Sequence, residues 1–311
     1  MPNTLPNNDT DIVILAAGKG TRMQSDLPKV LHKLAGRPLL GHVINAAKTI
    51  CDAEQIIVTG HGAERVEKAF VDSGGQFVQQ TEQLGTAHAV NTAAPHLRDQ
   101  SKVLILYGDV PLIKPATIAK MLAAVEGKTI GLLTINLENP MGYGRIVRNE
   151  AGMIESIVEQ KDASEEQLLI SEINTGVLAL GAEQLKAWLP QIDNNNAQGE
   201  YYLTDLIAIA TTNGYHIASI QPTSATEVEG VNNRIQLSQL ERAHQLELAE
   251  ALMLSGTTLA DPSRFDQRGD LSAGQDNFID VNCLFEGTVT IGSNVSIGQW
   301  LLSLQTNSSH Q

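Results

Sequence analysis

Ile12-Val13-Ile14-Leu15-Ala16-Ala17-Gly18-Lys19-Gly20-Thr21-Arg22-Met23 joins an apolar run to a glycine-rich turn, and that junction points to the fold class. Its first five residues are an unbroken apolar run, the pattern of a strand covered on both faces. The run ends in small residues and two glycines. These let the chain turn tightly and let backbone N–H groups approach a ligand. Residues 38–50 then read as a helix with Leu39, Leu40, Val43, Ile44 and Ala47 on one face.

Working outward, the alternation continues. Ile56-Ile57-Val58, Phe77-Val78, Val103–Tyr107 and Ile130–Leu137 read as strands, and residues 63–71, 86–94 and 115–125 as helices. This order predicts an α/β fold with a doubly wound, mostly parallel sheet, Rossmann-like, with ligands at the carboxyl ends of its strands. The middle is mixed. Arg145–Val147 and Ile154–Val158 suggest a hairpin through Asn149–Gly152, Thr175–Leu180 another strand, and residues 203–211 and 233–254 helices. Leu237, Leu240, His244 and Leu248 predict the apolar stripe of the last helix. From Ile279 the period changes to six: Ile279, Phe285, Ile291 and Ile297 recur, with Cys283, Val289 and Val295 as a second set. A six-residue period marks a parallel β-helix, here about one coil. The expected organisation is a disordered lead over 1–10, an α/β domain over 11–234, a helical linker over 235–277, the start of a β-helix over 278–298 and a polar tail over 299–311.

Composition narrows the function classes. Two distant cysteines among 311 residues, Cys51 and Cys283, give no disulfide framework and fit a reducing cytoplasm. No apolar run approaches the roughly 20 residues of a membrane span, and the polar first residues lack a signal-peptide core. A net charge of −14 disfavours nucleic-acid polymers. It leaves room for a small phosphorylated ligand where charge is locally reversed. Between Gly18 and Arg37 it is: Lys19, Arg22, Lys29, Lys33 and Arg37 face only Asp26. No histidine or cysteine spacing suggests zinc, and no Gly-x-Ser-x-Gly elbow occurs.

The segment 15–29 combines small residues with Lys19, Arg22 and Lys29, which suits a phosphate. It is neither a dinucleotide fingerprint nor a Walker loop, because Met23 replaces the third glycine and no Gly-Lys-Ser/Thr closes it. Gln79-Gln80-Thr81-Glu82-Gln83-Leu84-Gly85-Thr86 offers amides able to read a base edge, though taken alone it reads more readily as a polar loop with a helix cap. Asp109, in Tyr107-Gly108-Asp109-Val110-Pro111, sits at a strand's carboxyl end, where one or two protein oxygens suffice for a phosphate-bridging Mg²⁺. Asn232 is a second candidate oxygen donor and equally a candidate helix cap.

In this order the motifs resemble the uridyltransferase half of the bacterial bifunctional N-acetylglucosamine-1-phosphate uridyltransferase/glucosamine-1-phosphate acetyltransferases. Besides the segments above, the resemblance rests on Gly142-Tyr143-Gly144-Arg145, Glu172-Ile173-Asn174-Thr175-Gly176, residues 194–202 and Glu229-Gly230-Val231-Asn232-Asn233-Arg234. It implies a Mg²⁺-dependent transfer from UTP to N-acetylglucosamine-1-phosphate, giving the UDP-sugar and pyrophosphate in the cytoplasm. Leu15, Ala16, Ala17, Gly18 and Lys29 would contact the nucleotide and its phosphates, and Arg22 the triphosphate. Gln80, Gly85 and Thr86 would read the uracil side, and Tyr107 and Gly108 would line the site. Asp109 and Asn232 would hold Mg²⁺, and Gly144, Glu159 and Asn174 the sugar. Arg22, Lys29 and Asp109 are the expected catalytic residues. The family continues into a long left-handed β-helix that forms a homotrimer and carries the acetyltransferase. With about one coil here, acetyltransferase activity is not expected, and the trimer has little to assemble through.

Overall fold

Thr10–Ala16 (β1) alternates its side chains between two cores. Val13 and Leu15 enter one, Ile12, Ile14 and Ala16 the other, and all are buried. That double burial is why the run carries no polar alternation. In the computed structural model, residues 9–50, 53–298 and 302–304 are described. They form two units: residues up to 31 with 40–230, and residues 32–39 with 231 onward.

In the first unit the other strands are Glu54–Thr59 (β2), Gln76–Gln79 (β3), Lys102–Tyr107 (β4), Thr129–Asn136 (β5), Arg145–Arg148 (β6), Ile154–Val158 (β7), Glu172–Gly181 (β8) and His216–Ile220 (β9). They build one nine-stranded sheet in the order β9-β5-β8-β4-β1-β2-β3, with β6 pairing β8 and β7. Pairs β1–β2, β1–β4, β2–β3 and β5–β9 are parallel. The doubly wound, mostly parallel α/β sheet expected from the first half is therefore present. The middle segment, read only as mixed, supplies β8, which runs antiparallel between β4 and β5 at the centre of the sheet. Helices 39–50 and 115–124 pack on one face, and helix 86–93 on the other. The β6–β7 hairpin forms through Asn149–Gly152, closed by the Gly152 N–H on the Asn149 carbonyl.

In the second unit Asn233 caps helix Arg234–Leu254 by accepting from the Gln236 N–H, so the cap role weighed for Asn232 falls to its neighbour. The buried face of that helix is Leu240, Gln245, Ala249 and Leu252, while the expected Leu237, His244 and Leu248 are half-buried. Gln245 is buried because its amide closes two hydrogen bonds on the backbone of Gln267, at 2.8 Å each. The stretch expected as the second part of the linker is strand. Thr257–Leu259 and Phe265–Ala273 begin ladders that continue at Asn277–Ile279 and Cys283–Ile291 and, three hexads on, at Ser296–Ile297 and Leu302–Leu304. The coil thus starts some twenty residues earlier than the apolar period shows. Phe265–Ala273 leaves mostly polar side chains half-buried or exposed and so hides from a hydrophobicity reading. Phe265, Ile279, Cys283, Phe285 and Ile291 form the core of the coil.

At the N-terminal edge Thr10 already belongs to β1. The expected lead over 1–8, Cys51 and the tail over 299–301 and 305–311 lie outside the described residues, whereas Leu302–Leu304 pairs with the coil. Among the described residues no helix is long and apolar enough to cross a membrane.

Phe285, 2 % exposed and 5.8 Å from the Phe265 ring, is the anchor of the coil. Phe285→Ala should cost about 3–5 kcal/mol, read as a lowered urea midpoint for loss of the β-helix signal. A change below about 1 kcal/mol would show that the coil does not depend on that ring.

Candidate functional site

The parallel register places Leu15 opposite Tyr107. The loop leaving β1 and the loop leaving β4 therefore emerge side by side, and the Gly108 N–H ties them by donating to the Leu15 carbonyl at 2.9 Å. Gly20 has φ +60°, and a Cβ there would lie 2.7 Å from the Lys29 Cβ. The glycine thus lets the loop close over Lys29, while nothing lies within 4 Å of the Cβ direction of Gly18, which stays open. Lys29 begins a single 3-10 turn, Lys29–Leu31, and its ammonium pairs with the Asp109 carboxylate, both side chains being largely buried.

These loops line a cavity of about 300 Å³. Leu15, Ala16, Ala17, Gly18, Lys29, Gln80, Gly85, Thr86, Tyr107 and Asp109, all expected at the site from sequence, line it, together with Gln83 and Glu200, which had no role assigned although both fall in the quoted motifs. Glu200 arrives because segment 200–203 is stitched onto the Leu84–Ala87 turn. Tyr201 N donates to Leu84 O at 2.8 Å, Ala87 N to Tyr201 O at 2.9 Å, and Leu203 N to the Thr86 hydroxyl at 3.0 Å. The amide-rich run 79–86 signals Gln83, and segment 194–202 contains Glu200, but its sequence does not say that this carboxylate reaches the cavity.

Gln80 is buried, and its amide orientation is fixed because Nε2 donates to Gly85 O at 3.2 Å and meets His88 Nδ1 at 2.9 Å. Among the described residues its Oε1 accepts from no protein donor and the Gly85 N–H donates to no protein acceptor. One acceptor and one donor thus stay available at the wall of the cavity.

The remaining named residues lie apart from this lining. Arg22 is exposed on the Thr21–Met23 turn. Gly108 is buried beneath the loops, packed against Leu15, Val30 and Leu40. Asn174, Gly176 and Thr204 border a second, small cavity, which Tyr107 also lines. Gly144 abuts Glu159, whose Oε1 lies 3.4 Å from its Cβ direction. Asn232 belongs to the second unit and Asp109 to the first.

Charge divides the first unit's site. Burial, opposed by a hydrogen bond from Thr204 and reinforced by Asp162, holds Glu159 above the usual carboxylate range. Asp205 is pushed up to about 6 by burial and by Asp193, Glu159 and Asp162. Burial raises the Tyr107 phenol, with Glu159 and Asp109 adding to it. The donor set suits a phosphate-bridging divalent ion. Asp109 supplies one partly accessible carboxylate, and no group of three or more acidic, histidine or cysteine ligands occurs among the described residues. An ion held this way takes its other ligands from phosphates and water.

Comparison with known proteins places this geometry. The fold matches a solved UDP-glucose pyrophosphorylase complexed with UDP-glucose (TM-score 0.63, 16 % identity, 76 % of this chain and 98 % of that one). It also matches a nucleotidyl transferase from Methanothermobacter (TM-score 0.55, 22 % identity, 78 % of this chain and all of that one). Both likenesses are of the fold. Residues 12–169 match the MobA-like NTP transferase domain model, and the chain belongs to that family. It is 55 % identical over 281 residues to the "Bifunctional protein GlmU" of Cellvibrio japonicus, covering 90 % of this chain and 62 % of the relative. To that of Marinobacter nauticus it is 54 % identical over 288 residues, covering 92 % and 63 %. The chain thus spans less than two thirds of the length of these relatives.

Gly85 has φ +124°, and a Cβ there would lie 2.5 Å from the Tyr201 carbonyl oxygen. Gly85→Ala should displace segment 200–203 and weaken nucleotide binding at least about tenfold, measured by calorimetric titration; affinity within twofold of wild type would contradict this wall's role.

Proposed function

We propose that the chain transfers a uridylyl group from UTP to N-acetylglucosamine-1-phosphate, with release of pyrophosphate. The observation that carries the reading is the pairing of Lys29 with Asp109 beneath an open glycine loop, in one cavity with the unused Gln80 Oε1 and Gly85 N–H. A hydrogen-bond acceptor beside a donor suits a pyrimidine edge with an N3–H and a carbonyl. It suits uracil or thymine and not cytosine, whose N3 carries no proton. Membership of the NTP transferase family supports a nucleoside triphosphate as donor, and the resemblance carried by the sequence motifs supports a sugar-phosphate acceptor.

The chemistry asks little covalent work of the protein. The sugar phosphate is already an ionised nucleophile and needs no general base. Its oxygen attacks the α-phosphorus in line, the bond to the β-phosphate oxygen breaks, and pyrophosphate leaves with that electron pair. Positioning and charge neutralisation are what such a transfer requires. The Leu15–Gly18 backbone and Lys29 bind the phosphates, with Arg22 the candidate for the outer phosphates. Asp109, with Asn232 as the proposed second donor, would hold Mg²⁺, which would neutralise charge developing on the phosphates. Gly144, Glu159 and Asn174 are the proposed partners of the sugar, orienting it by hydrogen bonds to its hydroxyl and acetamido groups.

Pyrophosphate release should require UTP, N-acetylglucosamine-1-phosphate and Mg²⁺ together, and Asp109→Ala should lower it at least about a hundredfold without changing the circular dichroism spectrum. Release equal to the enzyme-free rate would refute the activity, and wild-type turnover in Asp109→Ala would refute the metal-holding role.

A further inference from the structure

Arg145 is 2 % exposed, yet among the described residues no carboxylate pairs with it. Its guanidinium instead meets neutral oxygens. Nη1 donates to the Tyr143 carbonyl and Nη2 to Gln160 Oε1 at 2.9 Å, while Nε is buried without a partner. Burial alone pulls its pKa below the usual guanidinium value. A buried cation satisfied only by neutral acceptors is costly, and an apolar side chain of similar length would pack in the same space at lower cost. Stability therefore does not explain the residue.

Its position does. Gln160 Oε1 also accepts from the Gly142 N–H at 3.0 Å, so one amide oxygen gathers both the loop and the guanidinium. Arg145 lies opposite Val158 in the β6–β7 ladder and opposite Ile173 in β8. Gly144 immediately precedes Arg145, Glu159 immediately precedes Gln160, and the Gly144 carbonyl accepts from Asn174 N at 2.9 Å. The three residues assigned to the sugar thus adjoin this clasp or hydrogen-bond beside it.

We propose that Arg145, acting through Gln160, is a positioning residue that sets the spacing of Gly144, Glu159 and Asn174 and so the affinity for the sugar phosphate. The inference rests on the reaction proposed above. A planar fork is needed because two acceptors in different directions are held at once, and a lysine ammonium offers no such fork. No atom of Arg145 or Gln160 has to touch the substrate. The effect travels through the backbone of the 140–144 loop and the end of β7.

Steady-state kinetics of Arg145→Met, Gln160→Leu and the double variant test this, with the KM of each substrate determined separately and circular dichroism confirming the fold. Each single variant should raise the KM for N-acetylglucosamine-1-phosphate about tenfold, leave the KM for UTP within twofold, and show no further rise in the double variant, since both break one clasp. If Arg145→Met fails to fold, Gln160→Leu, whose side chain is half-buried, carries the test alone. An unchanged KM for the sugar phosphate in an active enzyme, or equal rises for both substrates, overturns the positioning role and leaves the proposed reaction standing. A wild-type chain that neither turns over nor binds UDP-N-acetylglucosamine by calorimetry overturns both.

Discussion

The site depends on one constraint, the parallel pairing of β1 with β4. Because Leu15 and Tyr107 are register partners, the chain must leave two adjacent strands at the same edge. The phosphate-type loop and the Asp109 loop then have no freedom to separate, and the Gly108 N–H on the Leu15 carbonyl fixes their spacing. Both strands are buried on both faces, so the register cannot slip without exposing one core or the other. The Lys29–Asp109 pair is a consequence of that pairing. Eighty residues of sequence separate the partners, and the sheet brings them together.

Charge is arranged against the protein's overall sign. The chain is strongly acidic, but the loop that leaves β1 is basic, and the field it presents to a triphosphate is local. Elsewhere in the first unit acidic groups crowd one another: burial and repulsion from Asp162 raise Glu159, and burial with Asp193, Glu159 and Asp162 pushes Asp205 up to about 6. The buried Arg145 belongs to neither set. It carries its charge among neutral oxygens, where its geometry matters more than its field.

Much of this was legible in the sequence, because the decisive features are local. Apolar runs of the right length announced β1 and β4, glycines announced the tight loop, and the six-residue period announced the coil. The unread features are the non-local ones. Thr175–Leu180 reads as a strand, but nothing in it says that it inserts antiparallel between β4 and β5. Phe265–Ala273 reads as linker because a coil strand with mostly polar side chains carries no period in hydrophobicity. A Cβ at Gly60 would lie 2.7 Å from the Ala17 carbonyl oxygen, a close approach across the sheet edge that no local pattern in the sequence shows. Glu200 reaches the cavity only through backbone hydrogen bonds to a turn more than a hundred residues earlier. Arg145 was visible as part of a motif, but its burial and its partners exist only in the folded chain.

In the proposed reaction the edge created by β1 and β4 holds the triphosphate and its metal. A crystal structure with UTP and Mn²⁺, read by manganese anomalous scattering, tests it most directly. The account predicts the triphosphate over Gly18 and Lys29, the uracil edge on Gln80 Oε1 and the Gly85 N–H, and manganese within about 2.2 Å of an Asp109 carboxylate oxygen. A triphosphate bound elsewhere, or an anomalous peak distant from Asp109, would contradict it.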